Sequence, residues 1–402
     1  MKAVILAAGE GLRCQPLTLT RSKVMLPVVN KPILEHIINA LASCGINEII
    51  MVVGYKKERI MDYFLDGIDL GVHITYIEQK GQLGTAHAVK QVSSYVDCEF
   101  IVLNGDNIIE SSTISDILNG RSGDVTLLTV TREYAEGYGI VTSTDKRVSK
   151  IEEQPKEDIS HMVNTGIYIF NPDIFNEIDF TTVSETGEYA ITDTIQKMID
   201  SGKTVNMVHS ASTWIDAVHS WDLLRANAYL LERHEHFINE GTIEDGAVVR
   251  GNVSIGANTI IRSGSYIIGP AIIGTNCGIG PNAVILPSTT IGDNCTIEPS
   301  VQIKNSIIMR DVRIGSFSYI SNSIIGAHNS IGSNFITETG DNISIEIKGI
   351  IHTASKLGTV IGDGNIIKHR VLTEPGKMIA TGCSISSGII ISKSIPENSL
   401  VI

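Results

Sequence analysis

Two hydrophobic periods divide the chain. In the first half, short apolar runs at Val4-Ile5-Leu6, Ile49 to Val53, Ile74 to Ile77 and Phe100 to Leu103 alternate with amphipathic stretches. Continuous runs of that length read as strands buried on both faces. Between them Ile33, Leu34, Ile37, Ile38 and Leu41 share one side of a helix opened by Pro32, and a second helix is predicted to start near Gly84-Thr85. Such alternation predicts an α/β fold with a mostly parallel, Rossmann-like sheet covered by helices, whose ligands sit at the carboxyl ends of the strands. The loops after Leu6 and after Leu103 are therefore expected to line a pocket.

The second half repeats by six. Aliphatic residues recur at Ile243, Val249, Ile255, Ile261, Ile267, Ile273, Ile279, Ile285, Ile291, Ile297 and Ile303. The register slips by one to Ile308, Ile314 and Ile320, slips again to Ile325 and Ile331, and returns at Ile379, Ile385 and Ile391. Gly, Asp and Asn follow many of these positions, as in Ile291-Gly292-Asp293-Asn294, where tight turns need residues tolerant of positive φ. A period of six is the signature of a β-helix of hexapeptide repeats; a β-sandwich would alternate by two. Leu223, Leu224, Ala228 and Leu231 fall at helical spacing near the break. The expected organisation is an α/β domain over 1–228, a linker helix over 229–242 and the β-helix over 243–402, with the spacing leaving 339–376 unassigned.

Composition narrows the function. A formal charge of −13 argues against a nucleic-acid or acidic-membrane partner, which would require a basic face. No segment approaches the roughly 20 apolar residues of a membrane span, and the apolar run at residues 3 to 8 is too short for a signal peptide. The six cysteines lie far apart without metal-ligand spacing and read as free thiols of a reducing, cytoplasmic compartment.

The first predicted strand runs into Leu6-Ala7-Ala8-Gly9-Glu10-Gly11-Leu12-Arg13, then Pro16-Leu17-Thr18 and Ser22-Lys23-Val24-Met25-Leu26-Pro27. Small residues let backbone amides approach a phosphate, and Arg13 and Lys23 can neutralise charge that builds on its oxygens during phosphoryl transfer. The run departs from the dinucleotide-binding pattern, because Cys14 stands where a third glycine would close it.

This stretch resembles the signature of nucleoside-diphosphate-sugar pyrophosphorylases, the sugar-1-phosphate nucleotidylyltransferases. Further runs follow in family order: Gln79 with Gly84-Thr85-Ala86, Asn104-Gly105-Asp106, Gly137-Tyr138-Gly139, Glu152-Glu153-Gln154, Asn164-Thr165-Gly166 and Trp214-Ile215-Asp216. The likeness covers essentially the whole chain and is strongest to N-acetylglucosamine-1-phosphate uridylyltransferases and glucose-1-phosphate thymidylyltransferases, and it implies that the hexapeptide repeats form a left-handed parallel β-helix. It implies catalytic roles for Arg13 and Lys23. It further implies substrate contacts from Leu6, Ala7, Ala8, Gly9, Gln79, Gly84, Thr85, Asn104, Gly139, Glu153 and Asn164, and a Mg²⁺ ion held by Asp106 and Asp216. Gln79 would meet the base edge, and Gly139, Glu153 and Asn164 the sugar. The choice of Glu153 over Glu152 rests on that alignment, and Tyr138 is read as structural. The implied partners are a nucleoside triphosphate and a hexose-1-phosphate, and the implied assembly is a trimer formed through the β-helix.

Bifunctional members also acetylate glucosamine-1-phosphate from acetyl-CoA, using a histidine three residues before a tyrosine as base. Aligned on Tyr319, this chain has Ser316 there, and Ser330 and Thr339 replace expected asparagines. A serine cannot take an amine's proton near neutral pH as imidazole can, so acetyl transfer is expected to be lost or strongly weakened. The rival readings are a bifunctional enzyme and a non-catalytic scaffold subunit, the latter opposed by the complete set Arg13, Lys23, Asp106 and Asp216. The residues leave open UTP against dTTP, and glucose against N-acetylglucosamine.

Overall fold

The computed structural model describes every residue except 134, 136, 154–160, 185–186, 235–236 and 348. Contacts divide the chain into two units, Met1–Glu10 with Ile33–Asp216, and Gly11–Pro32 with Ala217–Ile402. No helix among the described residues is long and apolar enough to cross a membrane.

The first unit is built on a nine-stranded sheet in the order His73–Glu78, Glu48–Val53, Lys2–Ala7, Phe100–Asn104, Met162–Phe170, Val125–Thr131, Val205–His209, Arg147–Glu152 and Ile140–Thr144. The first four strands are mutually parallel and contain the apolar runs read from the sequence. Beyond them the sheet is mixed, because Met162–Phe170 runs against both neighbours. The helix Ile33–Ser43 buries Ile33, Leu34, Ile37, Ile38 and Leu41, and a second helix spans Thr85–Lys90. Gly84 precedes that second helix at φ +109°, and a Cβ there would lie 2.5 Å from the Tyr189 carbonyl oxygen, so backbone proximity itself selects glycine.

In the second unit, strands of two or three residues stack in parallel into three sheets, as a β-helix requires. Ile261, Ile279, Ile297, Ile314, Ile331, Ile367 and Ile385 pair successively along one sheet. Their side chains, with those of the other two sheets, form one buried column from Val253 to Ile391. Neighbouring coils are separated by one strand spacing of about 4.8 Å, so each isoleucine covers the one below. Asn258, Asn276 and Asn294 adopt positive φ at one corner. Their amides form a ladder, with Asn258 Nδ2 donating to Asn276 Oδ1 at 3.2 Å and Asn276 Nδ2 to Asn294 Oδ1 at 3.2 Å.

Both one-residue slips fall at a single corner, between Ile303 and Ile308 and between Ile320 and Ile325. There Asn305 and Asn322 take positive φ, and Asn305 Nδ2 donates to Asn322 Oδ1 at 2.7 Å. The next passage of the same corner carries an antiparallel hairpin, Gly340–Ile347 with Ile350–Leu357. Coils resume directly at Val360–Ile361. Residues 339–376 are thus a hairpin followed by an ordinary coil. Thr337 and Thr373, paired with each other, occupy buried positions that isoleucine fills elsewhere.

The helix Asp222–Glu232 buries Leu223, Leu224, Ala226, Asn227 and Leu231, and Thr242–Ile243 forms the first coil strand. The signature loop is also fixed to this unit. Asn227 Oδ1 accepts from the Val29 amide at 2.9 Å, Asn30 Nδ2 donates to the Ile291 carbonyl at 2.7 Å, and Arg21 pairs with Asp363 in the interior.

Candidate functional site

The carboxyl ends of the parallel strands bring several predicted residues together. Leu6 lies between Val52 and Asn104 in the sheet register. The Gly105 amide donates to the Leu6 carbonyl at 2.9 Å, and the Tyr55 amide to the Ala8 carbonyl at 3.1 Å. The Gln79 amide donates to Val53 at 2.8 Å, placing Gln79 at the next strand end. Its side chain is buried, with Nε2 2.9 Å from His87 Nδ1 and 3.2 Å from the Gly84 carbonyl, which fixes the rotamer.

A cavity of about 170 Å³ opens here, lined by Thr85, Asn104, Gly139, Glu153, Asn164 and Asp216 among others. Gly166 stands at φ +74°, and a Cβ there would reach 2.3 Å from Asn104 Nδ2, so the turn holds the amide by leaving it space. Asn164 Nδ2 donates to the Tyr168 hydroxyl at 2.6 Å, and the Asn164 amide donates to the Gly139 carbonyl at 2.8 Å. A Cβ on Gly139 would lie 3.3 Å from both carboxylate oxygens of Glu153. Of the adjacent glutamates, Glu153 lines the cavity, whereas Glu152 forms an ion pair with Lys150 at 2.5 Å. Gln154 lies outside the described residues.

Glu153 is exposed as a residue, yet its carboxyl group sits among the cavity walls. Local burial pushes its pKa above the ordinary carboxylate range; the Thr192 hydroxyl opposes the shift, and Asp193 adds to it. The wall also includes Tyr138 and Trp214, in edge-to-face contact at 5.5 Å. Trp214 Nε1 is buried without a hydrogen-bond partner, a donor facing unmet demand. Tyr138 and Trp214 stood in the runs quoted from the sequence, but nothing in their spacing assigned their rings to the wall.

Asp216 closes a short strand, Trp214–Asp216, that pairs antiparallel with Asn107–Ile109. Asp216 is opposite Asn107, so Asp106 is its diagonal neighbour. No group of three or more His, Cys, Asp or Glu that could hold a metal occurs among the described residues. A pair of carboxylates suits a hard cation that keeps waters and substrate oxygens as its other ligands, and does not suit a metal held by protein ligands alone; Asp216 lines the cavity, and Asp106 is not among its lining residues.

Arg13 and Lys23 belong to the second unit, on the loop that Gly11 opens at φ +65°. A Cβ on Gly11 would lie 2.5 Å from Lys23 Cβ, so glycine allows the two halves of the loop to close. The Thr18 hydroxyl donates to the Gly11 carbonyl at 2.9 Å and secures the closure. Cys14 is fully buried, its thiol donating to the carbonyls of Ala217 and Val218 at 3.6 and 3.5 Å. Arg13, next to it, remains exposed.

Residues 2–233 match the Nucleotidyl transferase family. The chain belongs to that family. Residues 267–363 also match the GMPPB C-terminal domain. A relative from Methanococcus maripaludis named bifunctional protein GlmU is 38% identical over 409 residues, covering 100% of this chain and 97% of the relative. A bifunctional sugar-1-phosphate nucleotidylyltransferase/acetyltransferase of Sulfurisphaera tokodaii is 31% identical, covering 98% of each chain. A Bacillus anthracis crystal structure, described as a candidate glucose-1-phosphate thymidylyltransferase with a bound sucrose, superposes with a TM-score of 0.53 at 29% identity, covering 59% of this chain and 97% of that one.

Proposed function

We propose that this nucleotidyl transferase moves a nucleotidyl group from UTP or dTTP to a hexose-1-phosphate, N-acetylglucosamine-1-phosphate or glucose-1-phosphate, and releases pyrophosphate. The observation that carries the reading is the polar cavity at the strand ends, where Gly139, Glu153 and Asn164 meet Asp216. A sugar ring offers hydroxyl donors, and an ionised Glu153 accepts from them. Returning hydrogen bonds to that desolvated carboxylate offsets the cost of its burial. Asn164 and the Gly139 backbone supply further polar contacts, while Tyr138 and Trp214 offer ring faces to the sugar carbons.

The reaction brings two anions together, so positioning and charge neutralisation carry the catalysis. Arg13 and Lys23 neutralise the phosphate oxygens, and the amides of Ala7, Ala8 and Gly9 approach the triphosphate. Gln79, Gly84 and Thr85 hold the base, and Asn104 the sugar side. No general base is needed, because the attacking phosphate is already ionised. The family chemistry uses a divalent cation; we assign it as Mg²⁺, which Asp106 and Asp216 would hold and which would supply positive charge to the reacting phosphates.

The test is a matrix of nucleoside triphosphates and hexose-1-phosphates incubated with Mg²⁺, scored by pyrophosphate release. Turnover with a uridine or thymidine triphosphate and one of the named sugars is expected; no release with any pair would sink the proposal. The bifunctional reading draws support from the names of full-length relatives. Against it, the described histidines of the coils have other partners: His328 Nδ1 lies 3.4 Å from Asp311, and His369 Nδ1 accepts from the Ser333 amide at 3.0 Å. Acetyl-CoA consumption with glucosamine-1-phosphate decides between them. The cytoplasm as compartment and a trimer through the β-helix complete the proposal, the latter checked by light scattering in solution.

A further inference from the structure

The hairpin Gly340–Leu357 interrupts an otherwise continuous stack and is rich in isoleucine: Ile343, Ile345, Ile347, Ile350 and Ile351. In register with Ile345 it carries His352, whose ring meets that of His219 at 4.5 Å and an interplanar angle of 54°. The His219 ring in turn stacks on Trp221 at 4.5 Å, nearly parallel at 5°. His219 Nδ1 lies 3.6 Å from Asp222 Oδ2, which also accepts from the His219 backbone amide at 2.7 Å. His219 Nε2 is buried and has no hydrogen-bond partner.

Arg13 stands close enough for its charge to act on His352. The Cys14 thiol, bonded to the carbonyls of Ala217 and Val218, fixes the loop to the segment leading into His219. His352 therefore meets His219, which has Asp222 on its other side, and the Arg13 charge acts on His352, in a chain of charge −13. A hairpin so well supplied with isoleucine has no need of an imidazole for packing alone. Two imidazoles in contact beside an arginine make sense where an anion completes the cluster.

We propose that Arg13 and His352, with His219 as the residue that positions His352, form an anion subsite for the terminal phosphates of the nucleoside triphosphate, the part that leaves as pyrophosphate. This rests on the nucleotidyl-transfer reading and adds the β-helix hairpin to the machinery. His352 donates a hydrogen bond to a phosphate oxygen, and the ring stack of Trp221 and His219 fixes its direction. In the free protein, partial burial, His219 and Arg13 lower the pKa of His352 below the ordinary imidazole range, in that order of effect. An arriving anion reverses the balance, so binding takes up a proton. The other charged groups described on the hairpin, Asp341, Glu346 and Lys356, are exposed, and Lys356 pairs with Asp341 at 3.5 Å.

The experiment is calorimetry of inorganic pyrophosphate with Mg²⁺ on the full-length protein, at about pH 6 and about pH 8. The ratio of wild-type to variant affinity cancels the titration of pyrophosphate itself. His352→Ala should weaken binding about tenfold at the lower pH, as loss of a charge-assisted hydrogen bond implies, and distinctly less at the higher. His352→Gln should match wild type only at the higher pH, and His352→Lys should hold affinity at both. Unchanged affinity in His352→Ala, or an equal loss at both pH values, overturns the subsite while leaving the activity standing. Failure of the wild type to bind pyrophosphate removes the activity and the subsite together.

Discussion

Asp363 offers the sharpest test of how the signature loop is held. Its carboxylate pairs with Arg21, accepts from the Thr20 hydroxyl at 2.6 Å and accepts from the Ala327 amide at 2.9 Å, with only 10% and 7% of the Arg21 and Asp363 side chains exposed. Arg21 Nη1 also points at Met309 Sδ at 3.2 Å. Asp363→Ala leaves a guanidinium in the interior with its counter-ion gone, which costs about 3–5 kcal/mol. The orphaned Ala327 amide adds to the loss within that range. Denaturant unfolding with a fixed m-value measures the change. The loop carries Arg13 and Lys23, so kcat/KM for pyrophosphate release should fall by about 10²-fold, the scale of a misplacement near 1 Å, although Asp363 is not among the proposed substrate contacts. Replacing both partners, Arg21→Met with Asp363→Leu, should recover much of the stability, because no buried charge then lacks its counter-ion. A single variant within 1 kcal/mol of wild type and at full turnover would refute the claim that this pair anchors the loop.

Other predictions follow from single contacts. Asp106→Asn should suppress pyrophosphate release with every substrate pair while leaving the melting temperature nearly unchanged; retained activity removes it from the cation site. Glu153 has a folded pKa raised by burial, so its ionisation costs stability as pH rises through that value, and the cost disappears below the unfolded carboxylate range. Glu153→Gln should therefore be more stable than wild type near neutrality, lose that advantage on acidification below about pH 4, and raise the KM for the sugar phosphate about tenfold. Gly11→Ala pushes on Lys23 and strains a residue at φ +65°, so a loss of kcat with a modest stability change of about 1–2 kcal/mol is expected in parallel assays. Ile297→Ala, at the centre of the buried column, should cost about 2–5 kcal/mol in chemical denaturation without altering substrate specificity.

What could be read from residues alone was what depends on local repetition. The column was visible from Ile261 to Ile331 and again at Ile385 because each of those coils meets the same environment, and the strands carrying Val4 to Leu6 and Phe100 to Leu103 because burial on both faces demands unbroken apolar runs. The coil after the hairpin was not visible for two physical reasons. Thr337 and Thr373 replace isoleucine at buried positions, where the Thr337 hydroxyl accepts from the Ser321 amide at 2.8 Å, and the hairpin's own alternation by two overwrites the period of six. Glu153 and Glu152 could not be told apart by spacing, since both stand in one short acidic run; the difference is that one meets the cavity and the other meets Lys150.

Arg21 and Asp363 are separated by 342 positions, and no local pattern relates them. Yet their pairing decides something the family signature alone does not, namely that the loop bearing Arg13 and Lys23 forms one compact unit with the β-helix. A glycine-opened loop has backbone freedom to lose, and positioning two cations for a pair of anions requires that freedom to be removed before the substrates arrive. Thr18 and Gly11 close the loop from within, Cys14 attaches it to the segment before Asp222, Asn30 and Arg21 attach it to two coils well apart along the stack, and Asn227 fastens Val29 from the helix Asp222–Glu232. Each is a buried or half-buried hydrogen bond worth about 1 kcal/mol or more. Together they make the β-helix a mould for the signature loop, which is a reason for the chain to keep its coils even if they acetylate nothing.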